Sequence, residues 1–340
     1  MNPVATENSA LEVPPRSIWR ALRDLAISTI VVGAIALIVS FISAASAHAQ
    51  GKGELRIGYQ KSASLFVLQK AQGSLEKKLA PLGFGVKWVE FPAGPQLLEG
   101  LNVGAVDVGY VGEAPPIFAQ AAGAKFVYFG YDPAAPRAEA ILVTKDSPIK
   151  SVAGLKGKKV ALNKGSNVHY FIVKLFEKHG LSYADLNLVY LPPADARAAF
   201  EKGSVDAWVI WDPFLAAAEK SLDARILADA TGVVGNRAYY FSSLDYVAKN
   251  ADVLAIATEE INRINVWGTA NKSDLAAELA ALWGLPKPVA DITVARAAYG
   301  TGPITKAILA EQQKIADTFF ELKLIPKKIN VLEAAGAGVA

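Results

Sequence analysis

Short apolar runs alternate with longer segments whose apolar residues recur at helical spacing, from Glu54 to about Asp212. This alternation predicts parallel β-sheets covered by helices, which is an α/β fold. The predicted strands are Leu55–Tyr59, Val86–Phe91, Val106–Val111, Phe126–Gly130, Glu139–Thr144, Lys159–Leu162, Leu188–Leu191 and Ala207–Trp211. The predicted helices between them are Ser64–Leu79, Pro95–Asn102, Val168–His179 and Ala194–Lys202. From about Ala251 onward the pattern predicts mostly helices.

Three of the predicted strands run into a polar turn that opens a helix. These turns contain Gln60, the pair Gly112-Glu113, and the segment Gly165-Ser166-Asn167. A helix N-terminus presents unpaired backbone N–H groups and the positive end of the helix dipole. In an open α/β sheet such turns gather at the carboxyl ends of the strands, where ligands bind. The pattern therefore predicts a site for a small anionic ligand.

Several residues of these turns have a structural and a binding interpretation. Ser166 stands where a helix N-cap belongs, and a cap alone would explain it. The neighbouring Gly165 and Asn167 favour a ligand, because a glycine lets a ligand approach the backbone closely. His169 lies in the first helical turn, where a lone histidine is more often a packing residue than a ligand contact. Gln60 is a candidate donor through its side-chain amide.

Four further residues are candidates at the edge of a cleft. Glu113 and Asp212 resemble a pair of acid and base groups, but each is better explained as a turn or cap residue near a proline. Trp211, at the end of a strand, is either a core residue or an apolar wall for a ligand tail. Arg237 is either an ordinary surface residue or a source of several fixed donors to an anion.

A faint internal repeat connects two parts of the chain. Leu101-x-x-Gly104-x-Val106-Asp107 followed by Glu113 matches Phe200-x-x-Gly203-x-Val205-Asp206 followed by Asp212. Two lobes of similar structure, with a cleft between them, would produce this repeat. Strand–turn–helix patterns also produce such matches by chance.

The N-terminal segment indicates export. A long apolar stretch, Leu25 to Ala47, follows three arginines and ends in the small-x-small sequence Ala47-His48-Ala49. This pattern predicts a signal peptide over residues 1–49, with Gln50 as the new N-terminus. A retained membrane anchor is the alternative, because about 20 apolar residues suffice to span a bilayer. Both interpretations place the rest of the chain outside the cytoplasmic membrane, and the first predicts a periplasmic protein.

We therefore expect cleavage after Ala49. Protein released by osmotic shock should have the intact mass of a chain that begins at Gln50. A full-length species found only in membranes would instead establish the anchor.

Composition and motifs favour binding over chemistry. Cysteine is absent, which excludes disulfides, thiolate metal sites and a cysteine nucleophile. The exported part has two histidines, His169 and His179, whose spacing cannot form a metal-binding pair on a helix. No nucleophile elbow, phosphate-binding loop or dinucleotide-binding turn is present in the sequence. We therefore expect no cofactor, no metal and no enzyme activity, and a net charge of +3 does not favour nucleic acid.

The chain resembles the periplasmic substrate-binding proteins of ABC importers, in the aliphatic sulfonate and taurine group. The tract Phe91-Pro92-Ala93-Gly94-Pro95-Gln96 is specific to this group, whereas Trp211-Asp212-Pro213 is shared with relatives that bind nitrate or pyrimidine precursors. The matching stretches are 56–61, 88–96, 112–120, 164–166, 193–200, 208–213 and 324–328. Where this chain has Tyr110-Val111, the group often has small hydroxyl residues, so a hydroxyl contact from that turn is in doubt.

The resemblance implies a two-lobed type II periplasmic-binding-protein fold that closes on its ligand. Lobe I would comprise residues 50–142 and 242–340, and lobe II residues 143–241, with crossing strands near Glu139–Thr144 and Tyr239–Ser243. The cleft would be surrounded by seven residues. They are Gln60, Gly112, Glu113, Ser166, Trp211, Asp212 and Arg237.

The resemblance also implies that a monomer captures an organosulfonate and delivers it to the permease subunits of an ABC transporter. Alternatives within the same fold are a receptor for nitrate, bicarbonate or a pyrimidine precursor, and an enzyme that makes a pyrimidine precursor. A membrane-tethered sensor domain is a further alternative if the N-terminal segment is retained.

Overall fold

The protein's structure is a computed structural model that describes residues 53–336. The predicted signal peptide and its cleavage site lie outside the described residues. Within residues 53–336, no helix combines the length and the apolarity needed to cross a bilayer.

Ten strands in the described chain form two sheets of five strands each. In lobe I the strands are β1 Gly53–Tyr59, β2 Phe84–Glu90, β3 Val108–Gly112, β4 Phe126–Asp132 and β10 Ala238–Ser243. In lobe II they are β5 Glu139–Val143, β6 Lys159–Leu162, β7 Asn187–Tyr190, β8 Ala207–Trp211 and β9 Arg225–Asp229. The strand orders, β2-β1-β3-β10-β4 and β7-β6-β8-β5-β9, are equivalent. In each sheet one strand is antiparallel, β10 or β5, and the predicted two-lobed α/β fold is confirmed.

The internal repeat corresponds to equivalent structure in the two lobes. The Asp107 carboxylate, before β3, accepts a hydrogen bond from the backbone N–H of Arg56 in β1 at 2.9 Å. The Asp206 carboxylate, before β8, accepts one from the backbone N–H of Lys159 in β6 at 2.8 Å. Each aspartate thus fixes the position of its strand against the neighbouring parallel strand.

Helices cover both faces of each sheet. They are α1 Ser64–Gln72, α2 Ser74–Leu79, α3 Gly94–Asn102, α4 Pro115–Ala121, α5 Asn167–Lys178, α6 Pro193–Glu201, α7 Phe214–Ser221, α8 Leu244–Lys249, α9 Ala251–Ala270, α10 Lys272–Trp283, α11 Lys287–Arg296 and α12 Lys306–Glu321. All five residues of β5 are buried, as expected of an inner strand covered on both faces. The mostly helical C-terminal part is confirmed by α9 to α12.

The chain passes between the lobes twice, through residues 133–138 and 230–237. The two segments predicted to cross, near Glu139–Thr144 and Tyr239–Ser243, instead contain β5 and β10 and lie inside the sheets. Each passage lies a few residues before the predicted position. Both passages therefore deliver the chain directly into the antiparallel strand of a sheet.

Helix α11 also joins the C-terminal helices to lobe II, through side-chain contacts and not through a passage of the chain. Its Val289 packs on Ala216 and Ala217 of α7 in lobe II. Its last residue, Arg296, donates two hydrogen bonds to the Glu219 carboxylate, at 2.7 and 3.0 Å. The C-terminal helices therefore contact lobe II beside the cleft.

Candidate functional site

A cavity of about 120 Å³ lies between the lobes, where strand ends of both sheets meet. Seven of the ten predicted site residues line it. They are Gln60, Gly112, Ser166, Asn167, Trp211, Asp212 and Arg237. The other three, Glu113, Gly165 and His169, do not line it. Glu113 accepts from the backbone N–H of Arg237, and the His169 N–H donates to the Ser166 carbonyl.

The N-terminus of α5 opens into this cavity. Gly165 has a φ of +75°, a conformation that favours glycine, and Ser166 follows in extended backbone. Ser166 occupies the N-cap position of α5, as predicted, but its hydroxyl donates to the Asn163 carbonyl at 2.6 Å and accepts no hydrogen bond from the helix. No side chain among the described residues therefore satisfies the first-turn N–H groups of α5. The His169 N–H donates to the Ser166 carbonyl at 3.0 Å, and those of Asn167 and Val168 remain available to an anion.

His169 lies behind this turn and is fully buried. Its Nδ1 accepts from the Gly165 N–H at 3.2 Å, so Nε2 carries the ring proton and donates to the Tyr183 hydroxyl at 2.6 Å. Burial lowers the pKa of His169 to about 4, with a smaller effect from Lys164 in the same direction. The ring is therefore neutral at pH 7. It fixes the Gly165 turn and does not line the cavity.

Asn167 connects lobe II to lobe I and to the second passage. Its Oδ1 accepts from the Ala114 N–H at 3.1 Å. Its Nδ2 donates to Asn236 Oδ1 at 2.7 Å and to the Arg237 carbonyl at 3.3 Å. A Cβ atom at Gly112 would overlap the Asn167 side-chain amide. The absence of a side chain at Gly112 therefore allows the lobes to come this close.

Glu113 fixes the segment that carries Arg237. Its buried carboxylate accepts from the backbone N–H groups of Asn236, at 3.2 Å, and Arg237, at 2.8 Å. Burial raises the pKa of Glu113 to about 7, although these two bonds act in the opposite direction. Glu113 lies in the bend just before Pro115 opens α4, as predicted, but α4 has no side-chain cap, so the alternative cap role is wrong.

Arg237 lines the cavity, and two neighbouring side chains position its guanidinium. Its Nε donates to Glu311 Oε2 at 2.9 Å, and its guanidinium lies 5.5 Å from the centre of the Tyr131 ring. Within residues 53–336, its two Nη atoms donate no hydrogen bond. An oxyanion could therefore be bound by both Nη groups without displacing the partners that hold the side chain.

Trp211 and Asp212 line the cavity from lobe II, at the end of β8. The Asp212 Oδ1 accepts from the Ala216 N–H at 2.9 Å, which confirms its predicted role at the start of α7. Arg296 Nη1 lies 3.5 Å from the same oxygen. Burial raises the pKa of Asp212 to about 7, although Arg296 lowers it. The half-buried Trp211 gives the cavity an apolar surface.

Gln60 faces Tyr110 at the ends of β1 and β3. Its Nε2 donates to the Tyr110 carbonyl at 3.3 Å, which leaves the second N–H of the amide for a ligand. At Tyr110-Val111 this chain lacks the small hydroxyl residues that the group often has, which argued against a hydroxyl contact with the ligand from this turn. The Tyr110 side chain does line the cavity, but its hydroxyl donates to Asp132 at 2.9 Å.

Sequence reasoning missed Asp132, which lines the cavity at the end of β4. The signal was present, because Asp132-Pro133 repeats the strand–Asp–Pro pattern that singled out Asp212-Pro213. The sequence also missed lining residues from α1 and the C-terminal helices. They are Ser62, Ser64, Thr293, Ala297 and Ala298. No group of three or more metal-ligating side chains is clustered anywhere in residues 53–336.

Comparisons with known proteins agree with this geometry. Residues 84–262 match the NMT1/THI5-like family. An aliphatic sulfonates-binding protein of Escherichia coli (strain K12) is 42% identical over 299 residues, which are 88% of this chain and 93% of the relative. One of Bacillus subtilis (strain 168) is 34% identical over 285 residues, or 84% of this chain and 86% of the relative.

A solved structure gives the same result. The alkanesulfonate-binding protein SsuA from Xanthomonas axonopodis pv. citri, bound to MOPS, has a TM-score of 0.80 at 40% identity, and the match covers 84% of this chain and 99% of that one. With its two equivalent lobes and its interlobe cavity, the chain belongs to the family of aliphatic sulfonate-binding proteins.

Proposed function

We propose that the protein binds an organosulfonate in the interlobe cavity, outside the cytoplasmic membrane, and delivers it to the permease of an ABC transporter. One observation carries this proposal. The N-terminus of α5, Arg237 and Trp211 line one cavity, so unpaired helix N–H groups, a cation and an apolar ring are close together.

A sulfonate fits these groups physically. It is a monoanion at neutral pH, so binding needs fixed donors and no proton transfer. Charge-assisted hydrogen bonds contribute about 1.5–3 kcal/mol each, and a helix N-terminus adds roughly 0.3–1 kcal/mol. A tail against Trp211 adds about 0.8 kcal/mol per buried methylene group. Sulfate has no tail and gains nothing from this wall.

The named relatives support a sulfonate over the other anions considered. Both curated relatives are named for aliphatic sulfonates, and the Xanthomonas protein was solved with MOPS, itself a sulfonate. Nitrate and bicarbonate are the alternatives that a ligand screen would separate. We propose a periplasmic monomer, with the permease subunits as its protein partner.

We expect the protein to bind its ligand without changing it. The neutral, buried His169 is committed to Gly165 and Tyr183, and the chain has no cysteine. Alkanesulfonates incubated with the purified protein should be recovered intact by mass spectrometry. Release of sulfite in the absence of an added flavoenzyme would show that the protein is an enzyme.

The identity of the ligand can be tested without choosing candidates in advance, on protein purified without denaturation. Mass spectrometry of small molecules released from it should find an organosulfonate. Consistent recovery of nitrate or a pyrimidine precursor, with no sulfonate, would reject the proposal.

A further inference from the structure

Three charged side chains line the cavity, and two of them have a partner of opposite charge. Arg237 has Glu311 as its partner at 2.9 Å, and Asp212 has Arg296 at 3.5 Å. Asp132, the third, forms no ion pair within residues 53–336. The cavity therefore contains one carboxylate without a counter-ion.

Asp132 is held only by neutral groups. Its Oδ2 accepts from the hydroxyls of Tyr110, at 2.9 Å, and Tyr240, at 3.3 Å. Its Oδ1 accepts from the Thr301 hydroxyl at 3.3 Å. The residue is only 6% exposed, and burying an ionised carboxylate without a cation is unfavourable. A cation bound beside Asp132 would remove this penalty.

A side chamber of about 40 Å³ adjoins the cavity at Asp132. It is large enough for one small polar group, since about 10–15 Å³ of such volume suffices to hold a water molecule. The buried Tyr299 hydroxyl at its wall has no hydrogen-bond partner among the described residues. The residues that line both spaces are Ser62, Ser64, Tyr110, Asp132, Ala297 and Ala298.

The two spaces differ in the charged side chains that line them: the main cavity has Arg237, Asp212 and Asp132, and the side chamber has Asp132 alone. Arg237 and the start of α5 line the main cavity and are absent from the side chamber. The N-terminus of α1 does line the chamber and favours negative charge. That negative charge is already present as Asp132, and a second anion there would be repelled by it.

We propose that the natural ligand is a zwitterionic aminosulfonate, whose ammonium group binds Asp132 in the side chamber while its sulfonate binds near Arg237. This inference rests on the proposed function and specifies the substrate class. The ammonium group donates to the Asp132 carboxylate and to the unpartnered oxygen of Tyr299. A plain alkyl tail would leave the Asp132 carboxylate without a counter-ion and the Tyr299 hydroxyl without a hydrogen-bond partner.

The test compares ligands of equal length by calorimetric titration of the purified protein at pH 7.5. Taurine, 3-aminopropanesulfonate and 4-aminobutanesulfonate are each paired with the alkanesulfonate that has a methyl group in place of the ammonium. In the best-fitting pair, the aminosulfonate should bind at least tenfold more tightly, equivalent to about 1.4 kcal/mol. Equal binding, or tighter binding of the alkanesulfonate in every pair, would overturn the inference and leave sulfonate capture intact. Absence of binding by both series would instead reject the proposed function.

Asp132→Asn tests the residue, because asparagine keeps the shape and removes the charge. The variant should bind the aminosulfonate more weakly and the alkanesulfonate as before, so that the two affinities become about equal. Asp212→Asn removes the other cavity carboxylate and should leave the ratio of the two affinities unchanged. The assignment would be contradicted if the ratio of affinities changed in Asp212→Asn and not in Asp132→Asn. It would also be contradicted if Asp132→Asn bound both ligands more tightly by the same factor.

The pH dependence tests the same residue in the unaltered protein and in both variants. The groups that face Asp132 are the hydroxyls of Tyr110, Tyr240, Tyr299 and Thr301, and burial raises the pKa of each tyrosine above its ordinary value. Burial raises the pKa of Asp132 to about 6, so it ionises between pH 5 and 7. The preference for the aminosulfonate should rise over this range in the parent and in Asp212→Asn, which lacks the cavity carboxylate whose pKa is about 7, and should not rise in Asp132→Asn. A preference that is constant from pH 5 to 8 would contradict the inference.

Discussion

Replacing Arg237 with alanine is expected to weaken the binding of a short alkanesulfonate by about 2 kcal/mol or more, roughly thirtyfold. The substitution removes a full charge from the cavity lining, and two Nη groups that donate no hydrogen bond within residues 53–336. Ser166→Ala should cost less, about 1 kcal/mol, because the backbone N–H groups of α5 remain and only the bond to the Asn163 carbonyl is lost. Calorimetric titration measures both effects.

Arg197→Ala is the matched control. Arg197 lies on α6, pairs with Glu201 at 2.6 Å, and does not line the cavity. Its removal should leave the affinity within about twofold of the parent, as expected of an exposed ion pair. If Arg237→Ala also binds like the parent, Arg237 is an ordinary surface arginine and the anion is bound elsewhere in the cleft.

Gly112→Ala is expected to have the second large effect. The added Cβ would overlap the Asn167 side chain, whose amide joins the lobes through Ala114 and Asn236. Overpacking costs about 1–3 kcal/mol, so the free energy of unfolding should fall by about 2 kcal/mol. Because binding depends on closure of the lobes, the affinity for a sulfonate should fall at least tenfold.

Gly85→Ala provides the comparison. Gly85 lies in β2, and a Cβ there would meet no atom within 4 Å. Thermal unfolding and titration of the two variants should therefore differ. A Gly112→Ala variant that matches Gly85→Ala in both would mean that Asn167 moves aside without cost.

Sequence patterning predicted the lobes because the period of apolar residues changes clearly between strands and helices. It missed β9, Arg225–Asp229, whose residues are all half-buried and show no clean alternation. The helix start predicted at Asp212 is confirmed by α7, Phe214–Ser221. The repeat at Asp107 and Asp206 was visible because both aspartates bind the same backbone position in equivalent sheets.

The site was predictable where chemistry follows from position along a strand. Residues at strand ends, such as Gln60 and Trp211, line the cavity as expected. Contacts between distant segments were not predictable: Glu113 appeared to be a local cap, yet it binds the backbone of Arg237, 124 residues away. The partners of a buried carboxylate depend on tertiary packing, which cannot be predicted from the pattern of neighbouring residues in the sequence.

The central claim is that the interlobe cavity binds the sulfonate group. Calorimetric titration of the purified protein at pH 7.5, with 1-butanesulfonate, 3-aminopropanesulfonate, sulfate and nitrate under the same conditions, tests it most directly. We predict one binding site for at least one of the two sulfonates, at least tenfold tighter than for sulfate or nitrate, and weakened by Arg237→Ala. Tighter binding of nitrate or sulfate, or sulfonate binding that Arg237→Ala and Gly112→Ala both leave unchanged, would contradict it.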